Sequence, residues 1–278
     1  MVKTTVLLSL FFIIVALFSC SVKMARLEEE REAEVRMLEN LLHYNAEVRT
    51  FNAKATVIYR DENSVMSFKA SMIFDCESDS FRMDLFDFVF GKPVLTVVKN
   101  GQRVLTVVHT SKESNIQSYD EFDLQRMTGL SIPKELLLSS VIGKVYLGEG
   151  SREISRSGQS TLIVKTPLIQ SDIHFGRERL PTRVKYVSAR YSYELSFTKF
   201  ETSGAVTFPL KITLKDTLRM LTVNYSNPLI NIELEEKDFL IENQSIESFK
   251  VKGPPNLYQN EHANVYFLTH LRVSYFFN

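Results

Sequence analysis

From about residue 49 onward, apolar and polar side chains alternate along the chain. Phe51, Ala53, Ala55, Val57 and Tyr59 interleave with Thr50, Asn52, Lys54, Thr56 and Arg60. After Asp61-Glu62-Asn63, Met66, Phe68, Ala70, Met72 and Phe74 interleave with Ser67, Lys69 and Ser71. A period of two puts each set on one face of a strand, so this stretch predicts a hairpin with one greasy face. Phe81, Met83 and Leu85, beside Arg82 and Asp84, extend it. Strands over 93–99 and 103–109 follow, joined at Asn100-Gly101, a dipeptide that favours tight hairpins. Further strands are expected over 153–156, 161–166, 182–188, 191–200, 210–214, 218–225 and 230–234.

Elsewhere the period changes. Residues 22–48 are charged, with Val35, Leu38, Leu41 and Leu42 at helical spacing. They predict a tether followed by a helix packed on the main domain; a coiled coil would need more heptads. Asp120 is placed to cap a short helix holding Phe122, Leu124 and Met127, ended by Gly129. Pro133 opens another helix, closed by Gly143. The expected fold is mainly β, of α+β type. It is an open antiparallel half-barrel of about ten or eleven strands, with about three helices covering an apolar concave face. A large sheet curls because open edges are a liability.

The N-terminus reads MVKTTVLLSLFFIIVALFSC. Lys3 and the apolar run from Val6 to Phe18 fit a signal peptide, and the run is short for a membrane span. Leu17-Phe18-Ser19-Cys20 resembles a bacterial lipobox, relaxed at Phe18 in the manner of spirochaete lipoproteins. That implies lipidation of Cys20 and attachment to a membrane; a plain signal peptide or an uncleaved anchor is the alternative. Ser21, rather than Asp, implies sorting to the outer membrane. The expected organisation is a signal peptide over 1–19, a lipidated N-terminus and tether over 20–34, one domain over 35–252, and a tail over 253–278 that could add an edge strand.

Composition narrows the chemistry. Lys plus Arg equals Asp plus Glu at 33 each, which argues against nucleic acid. With Cys20 lipidated, Cys76 has no partner for a disulfide. Asp75 and Glu77 beside Cys76 disfavour a reactive thiolate. The histidines, His43, His109, His174, His262 and His270, show no metal-ligand spacing. No nucleophile elbow or phosphate loop is present. No metal, cofactor or catalysis is expected, which leaves binding.

One segment departs from the alternation. Phe86-Asp87-Phe88-Val89-Phe90-Gly91-Lys92-Pro93 would put three phenylalanines on the face opposite Met83 and Leu85. Either the strand is buried on both faces, under the N-terminal helix, or the segment is an exposed apolar loop that contacts membrane or an acyl chain.

Four stretches then resemble the LolB/LolA superfamily of lipoprotein carriers and receptors: FNAKATVIYRDENSVMSFKASMIF, FRMDLFDFVFGKPVLTVVKNG, LQRMTGLSIPKELLLSSVIGKV, and LPTRVKYVSARYSYELSFTKFE with FPLKITL. The resemblance spans roughly residues 35–250. It implies a half-barrel with an apolar cavity, and a role in taking acylated lipoproteins from a LolA-like periplasmic carrier and placing them in the outer membrane. It also implies a protruding apolar residue before a glycine, which falls on Phe90 and Gly91, so Phe88, Val89 and Phe90 form the expected membrane-insertion loop. The expected cavity lining is Val57, Tyr59, Phe68, Met72, Phe74, Met83 and Leu85, although core packing would account for the same residues. The partners implied are acyl chains of other lipoproteins and, through the anchor, a membrane; the chain is expected to be a monomer. Two other classes stay open: a structural envelope lipoprotein that holds a protein partner, and a binder of free lipid.

Overall fold

The computed structural model describes residues 28–123, 132–240 and 250–251. Its strands are β1 (Thr50–Arg60), β2 (Val65–Asp75), β3 (Ser80–Asp87), β4 (Pro93–Asn100), β5 (Arg103–Val108), β6 (Glu113–Ser118), β7 (Glu153–Ser157), β8 (Thr161–Lys165), β9 (Gln170–Phe175), β10 (Pro181–Val187), β11 (Ser192–Ser203), β12 (Val206–Lys215), β13 (Met220–Ile230) and β14 (Lys250–Val251). They form one 14-stranded sheet. Two meanders, β1 to β6 and β7 to β13, are fused where β1 pairs with β13. Every pairing is antiparallel except that of β14 with β6. The edge strands β7 and β14 do not pair with each other, so the sheet is open.

The mainly β, open architecture is as expected, but the strand number exceeds ten or eleven. The additions are informative. In β6 the positions on the core side are Glu113, Asn115 and Gln117, and in β9 Ser171 takes one of them, so no apolar alternation marks those strands. The strand expected over 230–234 does not form. β13 ends at Ile230, and Asn231 turns the chain at φ 57°. The Asn231 side chain accepts the Arg49 N–H at 2.8 Å and donates to the Glu47 carbonyl at 2.7 Å, which fastens this turn to the start of β1. The hairpin between β4 and β5 is centred on Gly101-Gln102 rather than Asn100-Gly101. Gly101 has φ 58°, at a position where a tight hairpin reserves left-handed backbone for glycine.

Two α-helices occur among the described residues, against about three expected. Residues 28–47 form α1. Its buried side is Leu41 and Tyr44, with Met37 and Leu38 partly covered, and Val48 just beyond its end is buried too. Val35 and Leu42 are exposed instead, because seven residues apart they share the far side of the helix. Lys134–Val141 forms α2. Pro133 stands at the N-cap position without a side-chain cap, and Gly143 ends the helix with φ 74°. Gly143 N–H donates to Ser140 O at 3.0 Å and Lys144 N–H to Ser139 O at 2.9 Å, the paired bonds of a Schellman cap. The helix expected from Asp120 falls largely on residues 124–131, outside the described residues, as does the tail over 253–278.

Both helices lie on the apolar, concave face. A short 3-10 helix, Glu236–Phe239, covers part of the convex face over β3 and β4. That is why Thr96 and Val98 are buried together with Leu95 and Val97. Antiparallel pairing gives the sheet two rims of turns. The β1–β2, β3–β4, β5–β6, β8–β9, β10–β11 and β12–β13 turns form the upper rim; the β2–β3, β4–β5, β7–β8, β9–β10 and β11–β12 turns form the lower.

Candidate functional site

Register puts the proposed lining on one face. Val57 is opposite Phe68, Met72 opposite Met83, Ala70 opposite Leu85, and Phe74 opposite Phe81. Tyr59 follows Val57 on the same side by alternation. This face is the concave one, but its two ends differ.

Toward the lower rim the face is filled. Phe74 stacks on Phe81 at 5.6 Å, and Phe51 meets Phe208 at 5.0 Å and Tyr225 at 5.3 Å. α2 and the strap after it, residues 142–148, lie across these rings. The Tyr225 hydroxyl donates to the Val141 carbonyl and sits 3.9 Å from Met72 Sδ. Tyr44 of α1 donates to Gly143 O at 2.9 Å, and the Tyr186 hydroxyl accepts the Tyr146 N–H at 3.0 Å. Asn45 holds Val145 by both backbone groups, at 2.8 and 2.9 Å. Burial pushes the hydroxyls of Tyr44, Tyr186 and Tyr225 well above the usual tyrosine range. A Cβ on Gly143 would lie 2.8 Å from the Phe208 ring, so the strap touches the sheet through backbone. Met72 and Phe74 are therefore core residues beneath the strap, and Val57 and Tyr59 are buried as well.

Toward the upper rim the cover is incomplete. Phe68 and Leu85 are half-buried, as are Met66, Leu221 and Leu138 of α2, around a buried Tyr59; Met83, level with Met72, is half-buried as well. Met66 stands on the greasy face of the first hairpin in the sequence but is not among the expected lining residues. Sequence reasoning missed Leu221 and Leu138; Leu221 could have been found by alternation at its strand end, since it faces Tyr59 across the ladder as Met66 does.

The Phe88–Phe90 segment stands at this upper rim. β3 stops at Asp87, so the alternation does not continue through Phe88 and Phe90. Asp87 Oδ1 accepts the Val89 and Phe90 N–H groups at 3.0 and 2.6 Å, and the Asp87 carbonyl accepts the Gly91 N–H at 3.0 Å. Gly91, at φ 65°, closes the turn. The three side chains point to solvent, with Val89 74% and Phe90 68% exposed. Of the two readings open from the sequence, the structure has the exposed loop; only Phe86 is half-buried.

The remaining candidates do not gather. Cys20, His262 and His270 lie outside the described residues. Cys76 is exposed, and Lys144 Nζ donates to its sulfur at 3.2 Å. The Asp75 carboxylate is turned away to cap Glu77 and Ser78, so the acidic setting expected for Cys76 is replaced by a cationic contact. His109 Nε2 lies 3.0 Å from Thr96 Oγ1, which donates to Asp84; burial holds the imidazole below its ordinary range, partly offset by Asp84. His174 Nδ1 lies 2.9 Å from Thr161 Oγ1. No group of three His, Cys, Asp or Glu suited to a metal occurs among the described residues. No helix among them is long and apolar enough to cross a membrane.

No protein-family model matches the chain, and no curated protein matches it. Its fold is similar to that of solved structures. A LolA superfamily protein from Nitrosomonas europaea is 9% identical, with 73% of this chain and 97% of that one covered at a TM-score of 0.50. An outer membrane lipoprotein-sorting-like protein domain from Vibrio parahaemolyticus is 9% identical, covering 78% and 99% at 0.52. A DUF1329 family protein from Desulfovibrio piger is 11% identical, covering 79% and 98% at 0.50. At such identities the likeness is one of fold.

Proposed function

We propose that this chain is a lipid-anchored binding factor of the bacterial envelope, and not an enzyme. In this reading it accepts the acyl chains of other lipoproteins from a LolA-like carrier and passes them to the outer membrane, while Cys20 tethers it there. One observation carries the proposal. Over Phe51, Phe74, Phe208 and Tyr225 the apolar face is covered by α2 and the strap, while Met66, Phe68, Leu85 and Leu221, toward the rim that bears the exposed Phe88-Val89-Phe90 turn, are only half-buried. Exposing an acyl chain to water costs about 0.8 kcal/mol per CH₂, so a carrier surface must be apolar, yet open enough to release its load. Phe68, Met83 and Leu85 meet that need, and methionine adapts to chains of different shape. The fold shared with a LolA superfamily protein is consistent with it.

The test is depletion of the protein, followed by fractionation of the envelope. Other lipoproteins are expected to accumulate away from the outer membrane; their normal placement would remove the proposal. A Phe90→Glu variant is expected to retain acceptance and lose insertion.

A further inference from the structure

We infer that the whole upper rim, rather than the β3–β4 turn alone, docks on a lipid bilayer with anionic headgroups. This rests on the reading above that the Phe88–Phe90 turn meets membrane, and it adds further contact points and an orientation.

Two more upper turns end in bare apolar side chains: Leu218 between β12 and β13, and Leu168 between β8 and β9, the latter 76% exposed. Val65, at the start of β2, is exposed between them and Phe90. The tips are built alike. Asp216 Oδ1 accepts the Leu218 and Arg219 N–H groups, both at 2.7 Å, as Asp87 does for Val89 and Phe90. In the β8–β9 turn Thr166 Oγ1 exchanges hydrogen bonds with both backbone groups of Ile169. Side-chain caps of this kind fix the turn, so each apolar residue is held outward. None of the tips belongs to the core. Along the sheet the order of upper turns is β5–β6, β3–β4, β1–β2, β12–β13, β10–β11, β8–β9, and the apolar tips run from β3–β4 to β8–β9. At about 4.8 Å per strand, neighbouring tips stand roughly 10 Å apart, and the series runs roughly 40 Å along the curve.

The lower rim is the internal control. Its hairpin turns carry polar residues such as Glu77, Asp79, Gln102, Gln159, Arg177, Glu178 and Arg179, and no exposed large apolar side chain among the described residues; Leu229, 53% exposed, lies at that end but on β13 itself.

The spacing and the charge select the occupant. Single apolar tips separated by polar backbone do not make the contiguous apolar centre of a protein interface. They suit a headgroup layer, into which each enters separately. Each of the six upper turns carries or adjoins an exposed cation, Arg60, Lys92, Lys112, Lys165, Arg190 or Lys215, the last of which pairs with Glu194 at 3.2 Å. Against these cations the turns set four carboxylates, Asp61, Glu62, Asp87 and Asp216, of which Asp61, Asp87 and Asp216 accept turn amides. Cations at headgroup level beside apolar wedges match an anionic surface. Docked this way, the half-open end of the concave face looks into the bilayer, and an acyl chain could leave it without crossing water.

The chain contains no Trp, so a single one reports its own surroundings. The full chain carrying Phe90→Trp, Leu168→Trp, Leu218→Trp or, on the lower rim, Gln159→Trp is mixed with vesicles of phosphatidylethanolamine and phosphatidylglycerol with brominated acyl chains. Blue-shifted emission with about twofold or greater quenching is expected at 90, 168 and 218, and none at 159. Quenching at 90 alone would overturn the rim and leave the single-loop reading standing. Quenching at no position would overturn both. A blue shift without quenching at 168 and 218 would set those turns against protein, such as a second copy of the chain, and would also overturn bilayer docking.

Discussion

The two ends of the concave face are made of the same kinds of residue but held differently. At the lower end, Phe51, Phe74, Phe208 and Tyr225 interlock, and tyrosine hydroxyls and Asn45 bind the strap down through its backbone. At the upper end, Met66, Phe68, Leu85 and Leu221 are half-buried, and the strap does not cover them. Apolarity alone therefore does not separate stability from function here. The strap does: where it lies, apolar residues become core, and where it ends, they become surface available to a ligand.

The largest effect is expected at the lower end. Phe51→Ala removes a fully buried ring in contact with three others and should cost about 3–5 kcal/mol in urea denaturation. A cost below about 1.5 kcal/mol would erase the distinction between the ends. Gly143→Ala should follow, at about 2–3 kcal/mol, because φ is 74° and the new Cβ would meet Phe208. Gly101→Ala is its comparison: φ is also positive, but nothing lies within 4 Å, so about 1 kcal/mol is expected. Equal losses would show that the close approach of strap to sheet contributes nothing.

Tyr225→Phe should come next, at about 1–3 kcal/mol, since it leaves the buried Val141 carbonyl without its donor. The same tyrosines predict a pH dependence. Burial holds the hydroxyls of Tyr44, Tyr186 and Tyr225 above their ordinary value, so above a pH of about 10 the unfolded chain releases protons that the folded chain keeps. Their contribution is full below that pH and is lost as pH rises, each group steepening the loss by about 1.4 kcal/mol per pH unit. Denaturation curves taken across that range should be less steep in pH for Tyr225→Phe than for the parent; unchanged steepness would count against its ionisation being suppressed by the fold.

Much of this contrast was hidden in the sequence, for physical reasons. The β1–β2 hairpin was legible because its apolar positions repeat every second residue, and α2 because Pro133 and Gly143 mark its ends. β6 and β9 were silent because polar residues take core-side positions, Glu113, Asn115 and Gln117 in β6 and Ser171 in β9. Leu218 was read as the first residue of a strand. The turn chemistry of Asp216, which places it at a tip, shows only once the hydrogen bonds are known. Alternation could put Val57, Tyr59, Phe68, Met72, Phe74, Met83 and Leu85 on one face, but not say which lie under the strap. The strap is fixed by contacts such as Tyr44 to Gly143, 99 residues apart, and nothing in the local pattern encodes them.

The smallest effect on stability should carry the largest effect on binding. Phe68 pairs with Val57 and Asp87 on its flanking strands and remains partly open to solvent. Phe68→Ser should therefore cost about 1 kcal/mol or less, because much of the ring's surface is already hydrated in the fold and little new cavity forms. If the open end holds acyl chains, the same change should weaken binding of a fluorescent fatty-acid probe several-fold. It removes apolar contact and puts a hydroxyl against hydrocarbon, where it lacks a hydrogen-bond partner. Met72→Ala tests the converse. It should cost about 2–5 kcal/mol and, in protein that remains folded, leave probe binding nearly unchanged, since Met72 lies beneath the strap. If Met72→Ala abolished binding while Phe68→Ser did not, the ligand would occupy the space under the strap, and the strap would be a lid rather than part of the core.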